Sequence, residues 1–240
     1  MSLINSKDVD FSLYCYYKTN IRTIDNIFGG QLYFPQVFVL YGVPGVGKTT
    51  FLLQICNEFK QKCNLKPLYI TGEQNLAMLS MNCNRLNVEL DICDNIDIDY
   101  IESVIPEYDL IMLDSLPTIK YDKKLYKYKK TEFPMVVVNR MITCAKKYRK
   151  CIGIILHSTK SGTYKGGSDI AHMTDAQYFL NNYKGELTMN VIKNRFGATG
   201  PVKLSMNDKG YDFNDYHIID ENHIEIPGIG IIKLNKMIDE

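Results

Sequence analysis

The chain has 240 residues, enough for one domain with a sizeable core, and its net charge of +1 leaves any nucleic-acid affinity to local patches. Apolar residues at 45% and charged residues at 23% are ordinary for a globular protein, and no apolar run approaches membrane-spanning length, so no membrane partner is expected. The seven cysteines are odd in number and never form C-x-x-C, which argues against zinc or a disulfide framework and for a reduced, cytoplasmic setting.

Residues 1–19 are polar and aromatic, without the apolar stretch of a signal peptide. Tyr14, Tyr16 and Tyr17 make this stretch either an edge strand on the core or an arm docking on a neighbouring subunit. From Thr19 to Gly30 a short helix is expected, capped by Thr19 or Asn20, with Ile24, Ile27 and Phe28 on one face and Gly29-Gly30 ending it. Val37 to Tyr41 is an apolar run of buried-strand type. It leads into Gly42-Val43-Pro44-Gly45-Val46-Gly47-Lys48-Thr49, which fits G-x-x-x-x-G-K-[ST], and Thr50 opens a helix running from Phe51 to Lys60. Strand, glycine turn and helix together form a phosphate cradle. The glycines let backbone N–H groups converge, and the helix N-terminus adds the positive end of its dipole. Lys48 is placed to reach the β- and γ-phosphates of ATP, and the Thr49 hydroxyl to ligand Mg²⁺.

Leu68 to Thr71 is a second strand, followed by Gly72-Glu73 and by a helix over Leu76 to Leu86. A third strand, Asp109 to Leu113, ends at Asp114-Ser115. Four apolar residues followed by Asp at a strand's carboxyl end make Asp114 the expected carboxylate that holds Mg²⁺ through water. Ligands of such sheets gather at the carboxyl ends of the strands, where Glu73 also stands. Residues 116–130 hold six lysines and three tyrosines. A helix over 136–150 and a fourth strand, Ile152 to Leu156, lead to His157 and a glycine-rich loop, 161–168. Alternating segments at 176–182 and 187–193 read as antiparallel strands joined by a turn at 181–185, and Lys193 and Arg195 share a strand face. From Gly210 onward the pattern is mixed, as in an appended hairpin or tail.

Five elements then come in a telling order: Gly42 to Thr49, Tyr69 to Glu73, Leu113-Asp114-Ser115, His157 to Lys160, and Lys193-Asn194-Arg195-Phe196-Gly197. In this order the sequence resembles RecA-like ATPases, in particular the bacterial RadA/Sms branch-migration ATPases and, more distantly, the DnaB replicative helicases. The likeness covers roughly residues 19–206. It lacks a four-cysteine zinc module and a protease-like domain of full-length RadA/Sms. The resemblance implies an α/β fold, a RecA-like P-loop NTPase with a mainly parallel twisted sheet flanked by helices and C-terminal antiparallel edge strands. An N-terminal arm would occupy 1–18, the ATPase core 19–206 and a C-terminal extension 207–240.

The resemblance further implies that Glu73 is the general base for γ-phosphate hydrolysis and that His157 is a sensor, although a satisfied, partly buried histidine is the plainer reading. It gives Lys193 and Arg195 a trans role at the nucleotide of an adjacent subunit, hence a homo-oligomeric ring such as a hexamer. Taken alone, the two residues read equally well as solvated edge-strand charges. The segments holding Lys120, Lys123, Lys124, Tyr126, Lys127, Tyr128 and Lys129, and Lys160 and Lys165, correspond to DNA-contacting loops. Lysines attract phosphates and tyrosines stack on bases, which suits single-stranded or branched DNA. The function implied is an ATP-dependent DNA motor in recombination, repair or replication. The alternative is a nucleotide-dependent regulatory switch that binds protein partners without DNA.

Overall fold

The computed structural model describes residues 5, 12, 14–120, 132–158, 167–213, 217–220, 223–226 and 230–233. Its centre is a nine-stranded sheet. The strands are β3 (Gln36–Gly42), β4 (Pro67–Thr71), β5 (Asp91–Cys93), β6 (Leu110–Asp114), β7 (Cys151–His157), β8 (Ala176–Tyr183), β9 (Glu186–Asn194), β10 (Gly200–Asn207) and β11 (Gly210–Asp212). Their spatial order is β11-β10-β9-β8-β3-β7-β6-β4-β5. The six strands from β8 to β5 run parallel, while β9, β10 and β11 extend the sheet by antiparallel pairing. The expected mainly parallel sheet with a C-terminal antiparallel edge is therefore present. Two further sheets are separate from it: β1 (Cys15–Tyr17) pairs with β2 (Leu32–Phe34), and β12 (His217–Asp220), β13 (His223–Ile226) and β14 (Gly230–Lys233) form a three-stranded antiparallel sheet.

Alternation along the buried strands divides the core in two. On one face Phe38, Leu40, Tyr69, Met112 and Ile155 pack with α2 (Lys48–Cys63) and α3 (Leu76–Leu86) through Phe51, Leu52, Phe59 and Leu79. On the other, Val37, Val39, Ile70, Leu113 and Ile154 meet α4 (Ile98–Val104), α5 (Phe133–Tyr148) and α6 (Gly167–Met173) through Ile101, Val137, Met141 and Ile170. Strands buried on both faces read as continuous apolar runs, and this is why β3, β6 and β7 stand out in the sequence. No helix among the described residues is long and apolar enough to cross a membrane.

Three local expectations shift. The helix α1 (Arg22–Ile27) is not capped by Thr19 or Asn20; Ile21 holds the cap position without a side-chain bond. The reason is Asp25, whose carboxylate takes the N–H of Thr19 and of Asn20 and the Thr19 hydroxyl, so Thr19 is spent on the first turn from outside. The helix over 136–150 begins earlier, at Phe133, because Pro134 fits the first turn, where its missing N–H costs nothing. The β8–β9 hairpin is tighter than expected. Lys184 at φ 51° and Gly185 at φ 88° make a two-residue turn, which the right-handed twist of the flanking strands favours.

Gly153 lies on β7, level with Phe38 of β3 and Met112 of β6. A β-carbon there would stand 2.4 Å from Phe38 Cζ and 2.5 Å from Met112 Sδ, and the Phe38 ring is held by edge contacts with Phe28 and Tyr178. Gly153→Ala is therefore expected to destabilise the fold by about 1–3 kcal/mol. A melting curve, or a urea titration at fixed pH, checks this, with a fall of several degrees in the midpoint as the expected result.

Candidate active site

The carboxyl ends of four adjacent parallel strands, β3, β7, β6 and β4, deliver Gly42, His157, Asp114 and Thr71 to one edge of the sheet. Beyond Gly42 the chain turns through Gly45 at φ 79° and Gly47 at φ 103°, conformations that favour glycine, and enters α2 at Lys48. Pro44, Gly45, Gly47, Lys48, Thr49 and Thr50 line a cleft of about 300 Å³ together with Glu73, Gln74, Asn82, Asp114 and His157. Val46 is buried beneath the loop, whereas Val43 is exposed. The Lys48 ammonium donates to the carbonyls of Gly42 at 2.9 Å and Val43 at 3.0 Å. Burial lowers its pKa, opposed by the charges of Asp114 and Glu73.

Asp114 is nearly fully buried, and its Oδ2 accepts from the hydroxyls of Thr49 and Tyr69, each at 2.8 Å. Burial raises the Asp114 pKa; the two hydroxyls and Lys48 oppose the rise, while Glu73 adds to it. A hydroxyl and a carboxylate that already share a proton at the foot of a phosphate-type loop are hard oxygen donors, and this donor set fits Mg²⁺ with water completing its shell.

The Asp114–Ser115 peptide bond is cis. Ser115 is fully buried and donates its hydroxyl to Glu73 Oε1. His157 Nε2 lies 2.5 Å from the same oxygen and 3.3 Å from Ser115 Oγ. With Glu73 accepting, Nε2 carries the proton in this contact, while Nδ1 is buried with no partner among the described residues. The stretch that carries Glu73 is itself fixed. Gly72 N–H bonds the Asp114 carbonyl, and a β-carbon on Gly72 would sit 2.0 Å from Thr118 Oγ1. Asn75 then caps α3 by accepting from Met78 N–H.

Glu73, Lys48, Thr49, Asp114 and His157, expected from the sequence at this place, thus converge in one cleft. Lys193 and Arg195 do not join them. Lys193 pairs with Gln177, level with Val39, about 10 Å before Gly42 along the strands and about 10 Å across two of them. Its ammonium donates to the carbonyls of Thr174 at 2.6 Å and His172 at 3.2 Å. Arg195 donates to Asp175 Oδ1 at 2.9 Å and to His172 O at 3.3 Å. Arg195 lies one residue past the end of β9, so the two do not share a strand face as expected, yet both side chains bind the same stretch, the last turn of α6 and the two residues after it. Lys120 is exposed, with its backbone paired to Ile96 and Ile98. Lys123, Lys124, Tyr126, Lys127, Tyr128, Lys129, Lys160 and Lys165 lie outside the described residues.

Ser115 and Tyr69 are the site residues that sequence reading passed over. The signals were slight: a hydroxyl directly after the strand-end Asp114, and a phenol in the middle of the buried β4.

Asp114→Asn keeps an oxygen for both hydroxyls and removes a buried charge. Because the folded-state pKa of Asp114 is raised, the ionised carboxylate weakens the fold as pH rises through the window between its unfolded and folded values. The variant, without nucleotide, is expected to be more stable than the parent near neutral pH and no more stable below the ordinary carboxylate range. Urea midpoints measured across pH 3–8 check the sign.

Residues 17–103 match the family described as "ATPase: KaiC". The chain is also similar to curated proteins named DNA repair protein RadA. That of Rickettsia conorii is 31% identical over 201 residues, covering 77% of this chain and 43% of the relative. That of Aquifex aeolicus is 29% identical over 202 residues, covering 81% and 45%, and that of Bacillus subtilis 27% over 208 residues, covering 80% and 44%. The chain spans less than half the length of these relatives. With the strand order, the glycine loop and the strand-end carboxylates in place, these similarities make the chain a RecA-like P-loop ATPase core of the RadA-like kind.

Proposed function

We propose that this core hydrolyses ATP with Mg²⁺ and couples hydrolysis to single-stranded or branched DNA within DNA repair. The observation that carries the reading is the meeting of Lys48, the Thr49–Asp114 pair and the doubly held Glu73 in one cleft. The backbone N–H groups from Gly45 to Thr50 receive the phosphates, and Lys48 exchanges the carbonyls of Gly42 and Val43 for phosphate oxygens. Thr49 and, through water, Asp114 hold Mg²⁺, which when bound neutralises charge on the β- and γ-phosphates. Ser115 and His157 occupy Glu73 Oε1, leaving Oε2 to orient the attacking water and take its proton. A change in the γ-phosphate would reach His157 through this carboxylate, which gives the sensor role a route.

Lys193 and Arg195 stand too far from the cleft to act on a nucleotide bound in the same chain. We assign them to the nucleotide of a neighbouring copy, in a closed ring with heterologous contacts such as a hexamer. Acting there requires them to leave the carbonyls of His172 and Thr174. The relatives' name, DNA repair protein, and the lysine- and tyrosine-rich stretch at 117–130 support DNA as the polymer engaged.

Glu73→Gln is expected to keep ATP binding and to lower turnover by roughly 100-fold or more, the range of a lost general base. Arg195→Ala subunits should regain turnover when mixed with inactive Lys48→Ala subunits, and an unrescued mixture would speak against action in trans. Single-stranded DNA is expected to accelerate ATP turnover, with the acceleration fading between about 50 and 200 mM salt. Turnover indifferent to DNA at every salt concentration would move the reading to a switch that binds protein partners.

A further inference from the structure

The hairpin of β10 and β11 folds back onto the phosphate loop. Tyr211 is buried there, and the side-chain amide of Gln54 on α2 meets its backbone as a neighbouring strand would. Tyr211 N–H donates to Gln54 Oε1 at 2.6 Å, and Gln54 Nε2 donates to Tyr211 O at 3.1 Å. The ring meets Phe51 edge-on at 5.4 Å and stacks with Phe213 at 5.9 Å. Arg85 of α3 fastens the hairpin tip by donating to Asp208 O at 2.8 Å. So held, the phenol oxygen lies 3.3 Å from the Gly47 carbonyl and 3.5 Å from that of Val46, and a β-carbon on Gly47 would meet it at 2.6 Å. Burial pushes the phenol's pKa well above its ordinary value, so the group keeps its proton and remains a donor.

The two carbonyls belong to the peptides whose N–H groups are those of Gly47 and Lys48. In a planar trans peptide the N–H points away from the C=O. A donor on the carbonyl side therefore fixes which way the N–H faces, and polarises it as a donor in turn. The Gly47 carbonyl uses one lone pair for the first helical bond, from Phe51 N–H at 2.9 Å, which leaves the other for the phenol. At a glycine with positive φ, this restraint opposes rotation of the peptide planes.

We propose that Tyr211 is a positioning residue of the phosphate loop: its phenol holds the Val46–Gly47 and Gly47–Lys48 peptides with their N–H groups turned to the nucleotide phosphates, and Gln54 holds Tyr211 in register. The proposal rests on the reading of the loop as an ATP site. It makes the C-terminal hairpin a part of nucleotide affinity, although no residue of the hairpin belongs to the P-loop pattern.

The test compares the intact chain with Tyr211→Phe, which removes the hydroxyl alone, and Tyr211→Leu, which also removes the ring. Dissociation constants for ATP and ADP are measured by calorimetry, with KM and kcat for ATP and the melting temperature without nucleotide. Tyr211→Phe is expected to weaken ATP and ADP about 5- to 10-fold, the loss of one hydrogen bond. KM should rise by more than kcat falls, with the nucleotide-free melting temperature within a degree or so of the parent. Tyr183→Phe, at the exposed tip of the β8–β9 hairpin, serves as the control and should change neither constant. Unchanged affinity in Tyr211→Phe overturns the proposal, and so does a loss confined to Tyr211→Leu, which would assign the effect to packing. Failure of the parent chain to bind either nucleotide would instead overturn the ATP reading, and that result is visible before any variant is made.

Discussion

Two hydroxyls, from Thr49 on α2 and Tyr69 on β4, donate to a single oxygen of the Asp114 carboxylate at the end of β6. A carboxylate buried to this degree is expensive unless its oxygens are satisfied, so these bonds are a condition of having the charge there. They also tie the helix α2 to the paired strands β4 and β6. Tyr69 is fully buried in the core shared with α2, so the position of the Asp114 carboxylate is set by the packing of that core. Thr71 lies opposite Asp114 in the sheet, and Ser115 follows it directly. A shift of Asp114 would therefore move both the strand end that leads to Glu73 and the hydroxyl that holds Glu73.

The other end of the sheet is organised as tightly for a different purpose. Asp175 accepts from Val37 N–H and from Arg195, so it links the start of the central strand to the Lys-Asn-Arg-Phe-Gly element. That element is fastened to the N-terminal part of the chain. Asn194 donates to the Phe28 carbonyl, Phe196 stacks on Tyr33 at 4.9 Å, and Gly197 and Gly29 approach so closely that a β-carbon on either would strike the other's backbone. The residues between the two charged ones, and after them, thus have a structural task. They hold Lys193 and Arg195 at a corner where the charges meet the His172 and Thr174 carbonyls and the Asp175 carboxylate.

Much of this was legible because its chemistry is local. The glycine loop is one continuous stretch, Asp114 closes an apolar run, and Lys193 and Arg195 are two apart in the sequence. Central strands buried on both faces announce themselves as unbroken apolar runs. What could not be read depends on proximity across the chain. Ser115 acquires its task from Glu73 and His157, each 42 residues away, and Tyr211 from Gln54, 157 residues earlier. The cap of α1 was misread because Asp25, inside the helix, outcompetes the residues that normally cap from outside. The distance between Lys193 and the cleft follows from strand order and direction, which no single segment encodes.

The strand that carries the phosphate loop has a consequence for how the protein comes into being. β3 pairs only with β7 and β8, so Gln36 waits for Cys151 and Phe38 for Ala176. A chain emerging from the ribosome therefore presents this apolar strand and its glycine loop well before either neighbouring strand exists. Contacts of such long sequence separation form late and slowly. The cleft draws Asp114 and His157 from β6 and β7, so its lining is complete only after those strands have been made. During that interval α2, which follows at once, is the first element able to cover β3, and it does so on one face.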